Sequence, residues 1–309
     1  MAARRFTRWQ QLCLLPVLGF ACSSALAAPL TVCVSEDSPP QSNVHKGKAT
    51  GFDIRLAQAV AEASGRELKI VPFETEFEKE STLSQEVNAL LSSGQCDLVS
   101  GFPLLKADLG PATRPSARVP DHPGAKRKRD RPFIALGELV ASAPYQSSNL
   151  GVVQVPGQPP VNTLMDLQDR KPGAVTGTLA GTLISIYRQG SLRKQMVTLS
   201  QRENAWAALE TGRVDSLLMP TAAYDAYKLQ HANTPLVLAA LRRPIGLNLG
   251  FVALASAPKE LLEVTNQVIA QAMTDGRMQQ WAKQEGLSWS APTQPAISSG
   301  PSLQSLTTD

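Results

Sequence analysis

The sequence predicts an α/β protein built as two similar lobes, and three observations carry that prediction. Strand-like and helix-like stretches alternate between residues 29 and 101, and the alternation recurs after residue 172. A short signature also occurs once in each half, as "LSSGQCDLV" at 91–99 and "LETGRVDSL" at 209–217: a leucine, Ser or Thr two places on, Gly, two variable residues and Asp. Such alternation implies parallel strands, because parallel neighbours need a crossover and a helix supplies it.

Taken in order, the N-terminus comes first. Arg4, Arg5 and Arg8 precede an apolar stretch from Leu12 to Leu26 that ends in Ala25-Leu26-Ala27, the form of a secretory signal cleaved after Ala27. Cys22 raises a lipoprotein alternative, but its approach is Gly19-Phe20-Ala21. Losing residues 1–27 removes three arginines and no acid, so the formal charge falls from +4 to +1. Two of the four cysteines remain, Cys33 and Cys96. In an oxidising compartment such a pair is more often bridged than left as two buried thiols. At 43% hydrophobic residues, the chain has the composition of a globular protein.

"PLTVCV" reads as a first strand, followed by the turn-rich "SEDSPPQSN". "FDIRLAQAVAEASG" places Ile54, Ala57, Val60 and Ala61 at helical spacing with Gly65 as a C-terminal cap, and "ELKIVPF" is a second strand. "LSQEVNALLSSG" repeats the helix pattern through Leu83, Val87, Leu90 and Leu91, and "CDLVSG" is a third strand. In the second half "GAVTG", "QMVTL" and "VDSLLM" are strands, with "TLAGTLISIYRQG" and "RENAWAALETG" as helices between them. "PFIALGELVASAPY" (132–145) and "LNLGFVALASAP" (247–258) are extended runs that carry the chain out of the first lobe and back. The closing helices "ELLEVTNQVIAQAMTDG" and "MQQWAKQEG" pack on the first lobe. Residues 28–138 and 251–290 thus form lobe 1, and 139–250 form lobe 2 with its hinge segments. The Pro- and Ser-rich 291–309 is expected to be a disordered tail.

The stretch "TGFDIRLAQAVAE" followed by "GQCDLVSG" resembles family 3 extracellular solute-binding proteins, the receptors of ABC uptake systems. "GAVTGTLAGT", "AWAALETGRVDSLL" and "TNQVIAQAMTDGRMQQWAKQEG" extend the likeness over most of residues 30–287. Within it, the cysteines of "VCV" and "QCD" are most similar to binding proteins associated with quinoprotein alcohol dehydrogenases. The resemblance implies a type II periplasmic binding protein fold. Each lobe is then a mainly parallel sheet flanked by helices, joined to the other by two crossing segments, and the lobes close over a small molecule.

Ligands of open α/β sheets bind beyond the carboxyl ends of the strands. The expected cleft residues are therefore Asp37, Ser38, Pro40 and Gln41 after the first strand, and Gly101, Phe102 and Pro103 after the third. From lobe 2 they are Gly177, Thr178, Leu179, Ala180 and Gly181 in "GTLAGT", then Met219 and Tyr224 near the end of "SLLM". "GTLAGT" opens a helix and suits an anionic group, which in the family is commonly a ligand carboxylate, though Gly-Thr is also an ordinary cap. Family members that bind amino acids carry an arginine after the third strand and an acid after the equivalent of "SLLM". Here Asp108 and Pro220 stand there, so the expected ligand is small and polar, and not an ordinary α-amino acid, unless Arg114 or Arg118 takes the missing place.

His45, His122 and His231 have no neighbouring ligand at metal spacing, no nucleophile motif occurs, and no cofactor is implied. "KRKRDR" (126–131) reads as a solvated loop or a partner contact, not a nucleic-acid site. Three functions follow. The first is a periplasmic, monomeric solute receptor for a membrane permease; the second is an accessory protein of a periplasmic dehydrogenase; the third is a lyase or dehydratase on the same fold.

Overall fold

The structure is a computed structural model, and it describes residues 28–76 and 81–302. The expected signal sequence lies outside the described residues. The chain begins with β1 (Leu30–Ser35), then a small sheet of β2 (Asp37–Ser38), β3 (Ser42–His45) and β4 (Lys48–Thr50). Helix α1 (Phe52–Ala63), β5 (Leu68–Phe73), α2 (Leu83–Ser92) and β6 (Leu98–Pro103) complete the first alternation. Four short strands follow: β7 (Gly110–Pro111), β8 (Ser116–Arg118), β9 (Phe133–Ala135) and β10 (Glu138–Ala141). Lobe 2 contains β11 (Gln146–Gln154), β12 (Pro172–Val175), α3 (Leu179–Ile186), β13 (Val197–Leu199), α4 (Ala205–Glu210), β14 (Ser216–Pro220) and α5 (Thr221–Gln230). The long β15 (Val237–Leu254) returns, and α6 (Lys259–Thr274) and α7 (Arg277–Glu285) close the chain.

One sheet runs through both lobes in the order β13-β12-β14-β11-β15-β6-β1-β5. β1 lies between β5 and β6, both parallel to it, and β12 lies between β13 and β14 in the same way. Those two parallel triplets are the predicted strand–helix alternations. β15 is the bridge: it pairs antiparallel with β11 in its first part and with β6 and β10 in its second.

Helices cover both faces of each parallel triplet, so each lobe has two cores. On one face of the first lobe, Leu56, Ala57, Val60 and Ala61 of α1 meet Val268, Ile269, Met278 and Ala282 of the closing helices. Ile54, expected on the buried stripe, is only half-buried, and Phe52 and Leu56 are fully buried instead. The other face holds Val87, Leu90 and Leu91 of α2. In lobe 2 the two faces are filled by Leu183 and Ile184 of α3 and by Ala208 and Leu209 of α4.

Two departures from the sequence reading matter for the cleft. First, residues 291–302 do not hang free. The Asn248 side-chain amide donates to the carbonyls of Thr293 (2.8 Å), Pro295 (3.2 Å) and Ala296 (3.1 Å), and Ser298 pairs with Leu104 through its N–H at 3.1 Å. The periodicity that marks a helix or strand is missing there, but backbone groups bonded to a buried amide need none. Second, residues 288–298 reach both lobes: Ser298 meets Leu104 of lobe 1, and the residues just before the segment meet lobe 2 and its crossing. Ser288 donates its N–H (2.7 Å) and hydroxyl (2.6 Å) to Asp225 of α5, and Trp289 Nε1 donates to the Tyr145 carbonyl at 2.9 Å.

Candidate functional site

Cys33 and Cys96 are joined in a disulfide with α-carbons 5.7 Å apart. Cys33 lies within β1, but β6 begins at Leu98, so Cys96 precedes its strand instead of opening it. Both are buried under α2. The pair is a staple between neighbouring strands, not part of a reactive centre.

A cavity of about 420 Å³ lies where the two lobes meet the crossing strands. From lobe 1 it is lined by residues following β1, by Val87 of α2, and by Val99, Ser100, Gly101 and Phe102 of β6. Gln146, Ser147, Ser148 and Asn149 enter from β11, Ile245 and Leu249 from β15, and Pro220, Thr221 and Ala222 from the end of β14 and the start of α5.

The predicted residues divide. Ser38, Gln41, Gly101 and Phe102 line the cavity. Asp37 is exposed beside it, Pro40 is buried with its carbonyl accepting the Phe52 N–H at 3.0 Å, and Pro103 pairs with Leu249. Gly177 to Gly181 lie outside the cavity. Thr178 caps α3, accepting the Gly181 N–H at 3.2 Å, while Ala180 is in the lobe 2 core and Leu179 packs against it. Met219 and Tyr224 are corrections: both sit in the lobe 2 core, and the Tyr224 hydroxyl donates to the Leu236 carbonyl at 2.9 Å. β14 ends at Pro220, and the cavity is faced there by Pro220 and Thr221.

Asp108, Arg114 and Arg118 do not line the cavity. Arg118, half-buried, lies over the Phe133 ring at 4.7 Å, across the β8–β9 pair. The basic loop is partly tied down: Arg131 is buried, donating to Glu76 (2.6 Å) and to the Val119 carbonyl (3.0 Å), and Lys128 pairs with Glu76 at 2.9 Å. Arg127 and Arg129 point outward.

Sequence reasoning missed the polar centre of the cavity. Asp53, in the first turn of α1, is the one ionisable side chain among the described lining residues. It is 1% exposed. Tyr145 Oη donates to Asp53 Oδ1 at 3.0 Å, and the Gly101 N–H donates to Tyr145 Oη at 2.7 Å. Burial pushes the Asp53 carboxyl up to about 7, against the Tyr145 and Ser100 hydroxyls, which pull it down. Burial also raises the Tyr145 phenol well above its ordinary value, and the adjoining carboxyl adds to that. Gln41 Nε2 donates to Gln146 Oε1 at 2.9 Å, joining the lobe 1 loop to the crossing strand, while Gln41 Oε1 is buried with no partner among the described residues. An acid in the first turn of an amphipathic helix is favoured there by the helix dipole alone, so nothing in the sequence marks Asp53 as a site residue.

Residues 30–102 match the family model of bacterial extracellular solute-binding proteins, family 3, so the resemblance carried by "TGFDIRLAQAVAE" and "GQCDLVSG" holds over the β1-to-β6 segment. No curated protein sequence matches the chain. Among solved structures, the chain is similar to substrate binding domain 2 of Lactococcus lactis GlnP in open conformation. Identity there is 16%, 83% of this chain and 94% of that one are covered, and the TM-score is 0.60. An ancestral cationic amino acid solute binding protein aligns at 21% identity over 83% and 95% of the two chains, with a TM-score of 0.54. An ancestral cyclohexadienyl dehydratase aligns at 16% over 84% and 92%, with a TM-score of 0.55. The fold is that of the two-lobed, type II binding proteins. Among the described residues no helix is long and apolar enough to cross a membrane.

Proposed function

We propose that this chain is an extracytoplasmic solute-binding protein that closes its lobes over a small polar ligand and presents it to a membrane permease. The observation that carries the reading is the position of the cavity. It lies beyond the carboxyl ends of β1 and β6, where open α/β sheets bind ligands, and its floor is formed by the strands that connect the lobes. A molecule held there touches both lobes and both crossings at once, which is what coupling of ligand to closure requires.

The lining argues against an ordinary α-amino acid. Pro220 stands where an acid would hold the ammonium, and no described arginine lines the cavity to hold the carboxylate. An anionic group, which "GTLAGT" would suit, loses support for the same reason, since neither lysine nor histidine replaces that arginine among the described lining residues. The test is mass spectrometry of small molecules released by denaturing freshly purified protein, followed by calorimetry with the compound found. Stoichiometric recovery of one compound is expected; an empty cavity, with no binding from a metabolite panel, would reject the reading.

A second reading, an accessory protein of a periplasmic dehydrogenase, is favoured by the β8–β9 insertion. That hairpin presents Phe133, 63% exposed, beside outward-pointing Arg127 and Arg129. Copurification with a dehydrogenase, abolished by Phe133→Ser, would favour it. The third reading, an enzyme, requires turnover of the recovered compound.

A further inference from the structure

We propose that Asp53 selects the ligand of this cavity, its Oδ2 accepting a hydrogen bond from the nitrogen of a small organic amine in its cationic form. The inference rests on the reading of the cavity as a solute site and names the ligand class.

Two geometric facts carry it. Tyr145 Oη engages Oδ1 and is itself held by the Gly101 N–H, so the direction of the carboxyl group is fixed by the protein. The other oxygen faces Gly101, whose φ of +69° is one that side-chain-bearing residues rarely adopt. A Cβ at that position would stand 3.1 Å from Asp53 Oδ2. Glycine therefore puts no side-chain atom against that side of Oδ2, and the other lining group acting on the carboxyl is the Ser100 hydroxyl.

Charge then gives the sign of the ligand. Around Asp53 the described lining is hydroxyl, amide or apolar. An anion would meet the carboxyl with no cation to balance it, and a zwitterion would leave its own carboxylate unpaired in a desolvated site, which is costly. A cationic amine leaves no charge unpaired. The amides of Gln41, Gln146 and Asn149 and the apolar walls of Phe102 and Leu249 suit an amine whose body is partly apolar and carries hydroxyl or carbonyl groups. A carboxyl poised at about 7 supports the assignment, because an arriving ammonium draws it into the ionised form near neutral pH.

The test is carbon NMR of the aspartate-labelled full chain, following the Asp53 carboxyl carbon together with the side-chain amides of Gln41 and Gln146. Methylammonium chloride is the probe, and sodium acetate at equal ionic strength is the control. Methylammonium is expected to lower the Asp53 titration midpoint by about one unit and to shift the glutamine amides, whereas acetate does neither. Asp53→Asn identifies the carboxyl resonance. Gly101→Ala places a methyl over Oδ2 and is expected to abolish the methylammonium response while the carboxyl still titrates. If that variant does not fold, the wild-type titration with its acetate control decides alone. Movement of the glutamine amides without Asp53 would overturn the proposal and leave the solute reading standing. No response from any cavity group would also overturn it, and the copurified-ligand experiment then decides the solute reading independently.

Discussion

Asp97 and Asp215, the last residues of the duplicated signature, make the same bonds in the two lobes. Asp97 accepts the Thr31 N–H at 3.0 Å and returns its own N–H to the Thr31 carbonyl at 2.8 Å. Asp215 accepts the Lys171 N–H at 2.9 Å and donates to the Lys171 carbonyl at 3.2 Å. In each case a glycine at φ +73° (Gly94) or +71° (Gly212) turns the chain out of the preceding helix, and the aspartate fixes the register of the new strand against its neighbour. Asp97→Ala and Asp215→Ala should each lower stability by about 1–3 kcal/mol, the cost of a lost charged acceptor, as measured by urea unfolding. Asp53 behaves differently because its shift is a burial effect. Folding raises its value from 3.8 to about 7, so the folded chain holds the proton more tightly than the unfolded one over that interval. The resulting stability is fully present below about pH 4 and is lost as pH rises toward 7. Asp53→Asn should flatten that slope, which is worth on the order of 4 kcal/mol at most. Urea midpoints at pH 4.5 and 7.5 check it; an unchanged slope would mean that the carboxyl is hydrated in solution.

Among elements, β1 and β6 illustrate both what the sequence reveals and where it stops. Their alternation with α1 and α2 is visible because each helix buries an apolar stripe, and right-handed crossovers make β1 and β6 neighbours. That adjacency underlies the Cys33–Cys96 bridge, which closes a separation of 63 residues. Cys33→Ser with Cys96→Ser should cost about 2–4 kcal/mol, checked by equilibrium unfolding against the oxidised parent. Neither β11 nor α5 announces itself in this way. β11 is buried along nearly its whole length, so no alternation marks it, and α5 has only a weak apolar face. The cleft inherits the difference. Gly101 and Phe102 follow from the rule of strand ends, whereas Gln146 to Asn149 depend on the pairing of β11 with β15, a contact between segments about 100 residues apart. Met219 and Tyr224 were misplaced for a related reason: reaching the end of a strand does not tell which face a side chain takes.

The whole molecule is governed by what crosses between the lobes. Two covalent crossings were expected, and the route through β10 into β11 and the return along β15 supply them. The C-terminal segment adds a third, noncovalent connection. Ser147 donates its N–H to the Ser290 carbonyl at 3.0 Å, Trp289 is bonded to Tyr145, and Asn248 holds Thr293, Pro295 and Ala296. These partners all belong to the crossings, so the segment lies along the hinge and can follow a rotation about it. Its bond from Ser288 to Asp225 is different, because α5 belongs to lobe 2 and moves with it. Asp225 is 2% exposed, so its carboxyl depends on the Ser288 donors to offset burial, and the contact favours one lobe separation over others. Asp225→Ala should therefore release lobe 2 from the C-terminal segment and broaden the range of openings. Small-angle scattering of the unliganded protein should show a larger mean radius of gyration than wild type. Circular dichroism should meanwhile stay unchanged, since the substitution leaves both lobe cores in place. An identical scattering curve for variant and wild type would mean that β11 and β15 alone set the separation.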